Sequence, residues 1–283
     1  MKPLCRALCV LSIFAFACIR IATAQAQGSI IFTVHITPST GVAEPVRGLP
    51  FYLLRKSFAA IQQEAAESQP KPDLDKFIDS LTVSNELKAW MKKHHTVRIT
   101  GEEFAKSLTA QEILTVPEFW KAYDQLNIGD KQFGFPVAKY NDRESARKPE
   151  KYQRDVDEFH ERIVKYIGDH PESKDGMDAE LQSIDPNPRW MEQVTARRSG
   201  IRRMALDLAQ SRYLVAQTQS DLNGRAQFSN IAPGNYWITC LSIDAEVGDT
   251  RAKWDVPVTV RAGAVTQLLL SNYNSVPPAN AAF

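Results

Sequence analysis

The chain has 283 residues, 34 of them Lys or Arg against 33 Asp or Glu, and 43% are hydrophobic. So even a balance argues against nucleic acid or an anionic membrane surface as the main partner. Three of the four cysteines fall before residue 19, which excludes a disulfide scaffold.

Residues 1–24 read as an export signal. Lys2 and Arg6 make a basic start, residues 7–19 an apolar core, and Ala22, Thr23 and Ala24 a small-residue cleavage site, with the cut after Ala24 or Ala26. Arg20 closes the apolar run too early to span a hydrocarbon core of about 30 Å. Lipidation at Cys18 is disfavoured by the bulk of Phe16. Cleavage removes Lys2, Arg6 and Arg20, which takes the 34 bases to 31 against 33 acids, a net charge of −2. It also leaves Cys240 alone, so no intrachain disulfide is expected. No second long apolar run follows. The expectation is an exported protein, periplasmic or extracellular, with no transmembrane segment in the mature chain.

Residues 29–37 alternate, with Ile30, Phe32, Val34 and Ile36 on one side, as a strand does. A turn region follows over 38–48, then a second strand over 49–56. From Ser57 to Arg212 the composition changes: 27 acidic and 24 basic residues fall in this stretch. Ser57 and Ser84 cap predicted helices, and Thr100/Glu103 and Thr109/Glu112 both have capping-box spacing. Pro117 suits a first helical position. A long helix is predicted from Pro149 to Ile167, and another from Pro188 to about Ser211, with Gly200 as a possible kink. Residues 127–148 are predicted irregular.

Low charge returns at Tyr213. Residues 213–219, 254–260 and 265–270 alternate as strands. Between them, residues 218–238 read as strand, turn, strand, turn, strand. Asp221 to Gly224 supplies an Asn-Gly turn, and Pro233-Gly234 a second turn that is expected to need positive φ at the glycine. Ala226, Phe228 and Ile231 are the inward candidates. The total is about seven strands with regular turns, which suits an antiparallel two-sheet sandwich. The fold class is therefore α+β: a sandwich from residues 28–56 and 213–274, interrupted by an all-helical subdomain over 57–212, with a disordered tail over 275–283.

The residues Asp221, Gly224, Phe228, Ile231, Pro233, Gly234, Tyr236 and Ile238 stand at the positions of the pattern T-D-x-x-G-x-F-x-F-x-x-L-x-P-G-x-Y-x-V, with Ala226 in place of the first aromatic. Glu44 to Gly48, followed by Leu53, is similar to the early strand of the same pattern. In these two pieces the chain resembles the carboxypeptidase regulatory-like domain family, whose members have a transthyretin-like β-sandwich. The resemblance implies a fold and an accessory, binding or structural role on exported proteins. It leaves 57–212 unexplained, and fold alone does not fix function.

The zinc carboxypeptidase motif His-x-x-Glu is absent, since none of the five histidines has Glu three residues on. His160-Glu161 fails as a zinc helix because Val164 holds the second ligand position. His94-His95 reads as a solvated helix end. Arg197, Arg198, Arg202 and Arg203 form the densest basic cluster, either an anion site or a solvated face paired with Asp155, Asp157, Glu158 and Glu161. Residues 169–178 read as a surface linker, not a calcium loop. Tyr236 and Trp237 point to opposite sheet faces, and an exposed one offers a platform for a sugar ring. No catalytic residue, metal ligand or cofactor is expected. The binding candidates are Trp237, Arg198 and Arg202, and Asp221, Gly224, Pro233 and Gly234 are structural turn residues. The expected function is an exported, non-catalytic binding or structural module for a polysaccharide or envelope protein. The alternative is an enzyme with its site in the helical insert or at its junction with the sandwich, with Arg198, Arg202 and His160 as candidates.

Overall fold

A computed structural model describes residues 26–39 and 41–276. The export signal and residues 277–283 of the predicted tail lie outside the described residues. The fold is α+β, and the chain divides into two compact units. One takes the described residues before Gln62 and after Ala205, the other Gln62–Ala205.

The first unit is built on ten strands. They are β1 (Gly28–Ile36), β2 (Glu44–Pro45), β3 (Pro50–Leu54), β4 (Leu214–Gln219), β5 (Arg225–Ile231), β6 (Gly234–Thr239), β7 (Ala245–Val247), β8 (Thr250–Ala252), β9 (Asp255–Val260) and β10 (Val265–Leu270). One sheet sets β1 between β10 on one side and β2 with β5 on the other; a second has the order β4-β3-β6-β9; β7 and β8 form a ribbon. Ile30, Phe32, Val34 and Ile36 alternate into one core with Phe51, Leu53, Phe228, Tyr236, Ile238 and Trp254. Phe32 meets Phe51 of the second sheet edge to face at 5.1 Å, so both sheets contribute to that core.

Two features differ from the expected seven-stranded antiparallel sandwich. The count is higher among the described residues, because the 38–48 turn region contains β2 and the segment after Cys240 contains the β7–β8 ribbon. The pairing of β1 with β10 is parallel, Ser29 opposite Val265 through Val34 opposite Leu270. The turn at residues 261–264 carries the chain from β9 in one sheet to β10 in the other, so these strands are not hairpin partners.

The two turns of residues 218–238 also pass between sheets. In the first, Asp221 Oδ1 accepts from the backbone N–H of Asn223 and of Arg225, both at 2.8 Å, and Gly224 takes φ 72°. A Cβ on Gly224 would lie 2.5 Å from the Val34 carbonyl oxygen. The second turn corrects the expectation for Gly234. It opens β6 without positive φ, and the left-handed residue is Asn230 at φ 60°. What crowds position 234 is the Tyr236 ring, whose atoms lie 3.2–3.3 Å from where a Cβ would be. That ring is held down by its hydroxyl, which donates to the Ala232 carbonyl at 2.9 Å.

The helices are α1 (Phe58–Ser68), α2 (Leu74–Asp79), α3 (Asn85–His94), α4 (Glu102–Ser107), α5 (Ala110–Thr115), α6 (Pro117–Leu126), α7 (Pro149–Asp169), α8 (Met177–Leu181) and α9 (Asn187–Leu208). Ser84 caps α3 through Leu87 N–H, and Thr109 and Glu112 form a complete capping box on α5. Thr100 does not cap: α4 starts after Gly101, and the Thr100 hydroxyl donates to Asp185 instead. Gly200 lies inside the continuous α9. The start of α1 is satisfied by Ser57, which accepts from Ala60 N–H, and by Asp255 of β9, which accepts from Phe58 and Ala59 N–H at 2.9 and 3.0 Å.

Phe77, Leu87, Trp90, Met91, Phe119, Tyr123, Phe159 and Ile163 lead the core of the helical unit. The predicted surface linker 169–178 contributes to it. Lys174 is buried and its ammonium donates to the Lys106 and Leu108 carbonyls, while Ser173 meets the Tyr123 hydroxyl at 2.8 Å. Burial pushes that phenol up to about 12.

Candidate functional site

The best-organised polar cluster starts at the end of α3. His95 takes the left-handed cap conformation at φ 48°, which stops the helix with His94 in its last turn. Trp90 stands four residues earlier on the same helix face, and the two rings stack with centroids 4.5 Å apart and planes 26° apart.

The capping box of α5 supplies the partner. Glu112 Oε2 accepts from the Thr109 N–H at 3.0 Å and hydroxyl at 2.9 Å. Its Oε1 accepts from Trp90 Nε1 at 3.0 Å and lies 2.9 Å from His94 Nε2. Burial alone would raise the Glu112 carboxyl, but the Thr109, Trp90 and His94 donors outweigh it and hold the group below its ordinary value. The carboxylate therefore faces His94 Nε2, and the other ring nitrogen, Nδ1, lies outside that pair. The imidazole is fixed twice, by a stacked indole and by a charge-assisted bond.

This ring lines an open cleft of about 470 Å³ together with Trp90, Arg98, Thr100, Glu103 and Phe104. The volume falls in the range of small-ligand sites. Phe104 is half-buried, edge-on to Trp90 at 5.7 Å and to Phe119 at 5.5 Å. Arg98 Nε donates to the Thr100 carbonyl at 3.2 Å, which leaves the terminal nitrogens of the fork outside that bond. An apolar ring edge, a fixed imidazole, a guanidinium and a carboxylate thus converge in one cleft of the helical unit.

His94 and His95 lie exposed at the end of α3, as the solvated-end reading expects, and the geometry adds the pairing of the His94 ring with Trp90 and Glu112. The spacing of Trp90 and His94 and the Thr109/Glu112 box were both visible in sequence. What joins them is tertiary packing of α3 against the start of α5. Among the described residues, no group of three or more His, Cys, Asp or Glu side chains could hold a metal ion.

The residues expected to bind lie elsewhere. Trp237 is half-buried in the β unit, with Leu54 and Pro257 as its cross-strand neighbours, and Tyr236 beside it is buried. Arg198 and Arg202 are exposed one turn apart on α9 in the helical unit. Their neighbour Arg197 donates to the Ala66 and Pro70 carbonyls, at 3.1 and 3.2 Å, so it caps the end of α1 instead of pairing with acids of α7. His160 is half-buried beside Phe159 on α7.

No protein-family model and no curated protein matches the sequence. Among solved structures, a minor pilin of Streptococcus agalactiae aligns at TM-score 0.28 and 8% identity, over 92% of this chain and 49% of the pilin. This chain thus spans about half the length of that protein. A candidate carbohydrate-binding protein of Pseudomonas aeruginosa aligns at TM-score 0.25 and 12% identity, over 88% of this chain and 90% of that one. A pilus backbone protein of Streptococcus pneumoniae aligns at TM-score 0.22 and 10% identity, over 86% and 40%. Likenesses this remote carry no argument about the present chain. The site must be read from its own residues. No helix among the described residues is long and apolar enough to cross a membrane.

Proposed function

We propose that this protein is an exported, non-catalytic binding module that holds a segment of polysaccharide in the cleft of its helical unit. The observation that carries the reading is the exposed His94 ring, fixed on the buried Trp90, with the half-buried Phe104 ring in the same polar cleft. A sugar ring is amphipathic: its C–H face lies against flat rings, while its hydroxyls need donors and acceptors around the edge. A site that is rigid before binding loses little conformational freedom when it fills. Trp237 remains a second proposed contact, on the β unit.

The non-catalytic half of the proposal rests on Glu112. Both carboxylate oxygens of Glu112 are already engaged with donors, so it positions its neighbours and is not open to take a proton from a ligand. The test is calorimetric titration of the mature protein with soluble oligosaccharides. Phe104→Ala is expected to weaken binding about 10-fold, the loss of roughly 1.4 kcal/mol of ring contact. Unchanged affinity in that variant contradicts the proposed site. Release of new reducing ends from the bound glycan contradicts the non-catalytic reading and favours the enzyme alternative.

A further inference from the structure

Resting on that reading of the cleft, we infer that its preferred ligand is an acidic saccharide of the uronate type, with a ring carboxylate held by Arg98.

Three groups of different chemistry line the same 470 Å³ cleft: the Arg98 guanidinium, the Glu103 carboxylate and the paired imidazole of His94. Arg98 is oriented by its own bond from Nε to the Thr100 carbonyl at 3.2 Å. Its Nη2 lies 3.1 Å from the point a Cβ on Gly101 would occupy, so the fork rests against the glycine backbone. An arginine held at Nε keeps its terminal N–H groups for a planar anion, and carboxylate matches that fork in a bidentate way.

Glu103 is an exposed carboxylate on the same cleft. It would repel a simple anion, and this argues against bare phosphate as the ligand. A carboxylate accepts well from two neighbouring hydroxyls, and His94 Nδ1 offers a third hydrogen-bonding position. The ligand that satisfies all of these carries an apolar ring face, vicinal hydroxyls and one carboxylate. A hexuronate unit has all three on one ring. The fixed charge of Arg98 then gives acid-over-neutral selectivity, while contact with the Phe104 and His94 rings gives affinity common to both.

The experiment is isothermal titration of the full mature protein with a hexuronate oligosaccharide and with a neutral hexose oligosaccharide of equal length. Arg98→Gln and Glu103→Gln are run beside the wild type, and circular dichroism checks each fold. The inference predicts tighter binding of the uronate, weakened by salt between about 0.05 and 0.5 M as exposed charges are screened. It predicts that Arg98→Gln weakens uronate binding about 10- to 100-fold, as loss of a hydrogen bond to a charged group does, and leaves the neutral ligand unchanged. Glu103→Gln is predicted to weaken both ligands, through their shared hydroxyls. Equal affinity of the wild type for the two oligosaccharides overturns this inference and leaves the proposed function standing. Binding of neither ligand by the folded protein overturns both. Selectivity that survives Arg98→Gln, or is lost in Trp237→Ala, overturns the assignment to this cleft.

Discussion

At Gly234 the backbone is not left-handed, and the constraint is the Tyr236 ring, whose atoms would make a tight contact of 3.2–3.3 Å with a Cβ there. The Tyr236 hydroxyl bond to Ala232 fixes that ring over the glycine. Gly234→Val should therefore lower the thermal midpoint of the β unit, with a cost of about 1–3 kcal/mol for forced overpacking. A midpoint equal to wild type contradicts the assignment. Glu112 gives a pH prediction. Its folded-state carboxyl is held below the ordinary value of 4.5, so its contribution to stability is present above that value and fades as pH falls through the lowered one. The stability difference between wild type and Glu112→Gln should be full at pH near 7 and shrink towards zero in acid. Thermal melts across that range measure it, and a difference that grows in acid contradicts the sign.

Among the elements, those specified by local chemistry were legible in sequence. Ser84 and the Thr109/Glu112 box start helices as their spacing requires, because the donor and acceptor sit within one turn. Thr100/Glu103 has the same spacing and does not cap, since Asp185 competes for the threonine hydroxyl from outside the helix. Long-range pairings were not legible. Asp255 caps α1 from the far side of the insert, 197 residues away from Phe58. The parallel pairing of β10 with β1 is equally hidden, because alternation reports which face of a strand is buried and not the direction of its neighbour. The candidate site fails to show for the same reason. His94 and Glu112 are each ordinary in sequence, and their joint use of one carboxylate oxygen with Trp90 exists only in the packed unit.

The whole molecule carries two separate buried clusters, one of strand residues and one of helix residues. The shift in charge density at Ser57 and Arg212 signals this change of composition, and the α+β class follows from it. Two cores imply that damage to one need not abolish the other. Phe119 is fully buried in the helical core, and Phe119→Ala should cost about 3–5 kcal/mol there. Stepwise urea unfolding should show the helical transition moved to lower denaturant and the strand transition kept. A single transition shifted as a whole contradicts this separation. The proposed recognition site is the cleft at the end of α3. The direct measurement is backbone and indole amide NMR of the labelled protein during titration with a hexuronate oligosaccharide. Saturable shifts are expected at the Trp90 indole N–H and at the amides of His94, Arg98, Thr100, Glu103 and Phe104. Shifts centred on Trp237 and its strand neighbours, with the Trp90 indole unmoved, would contradict it.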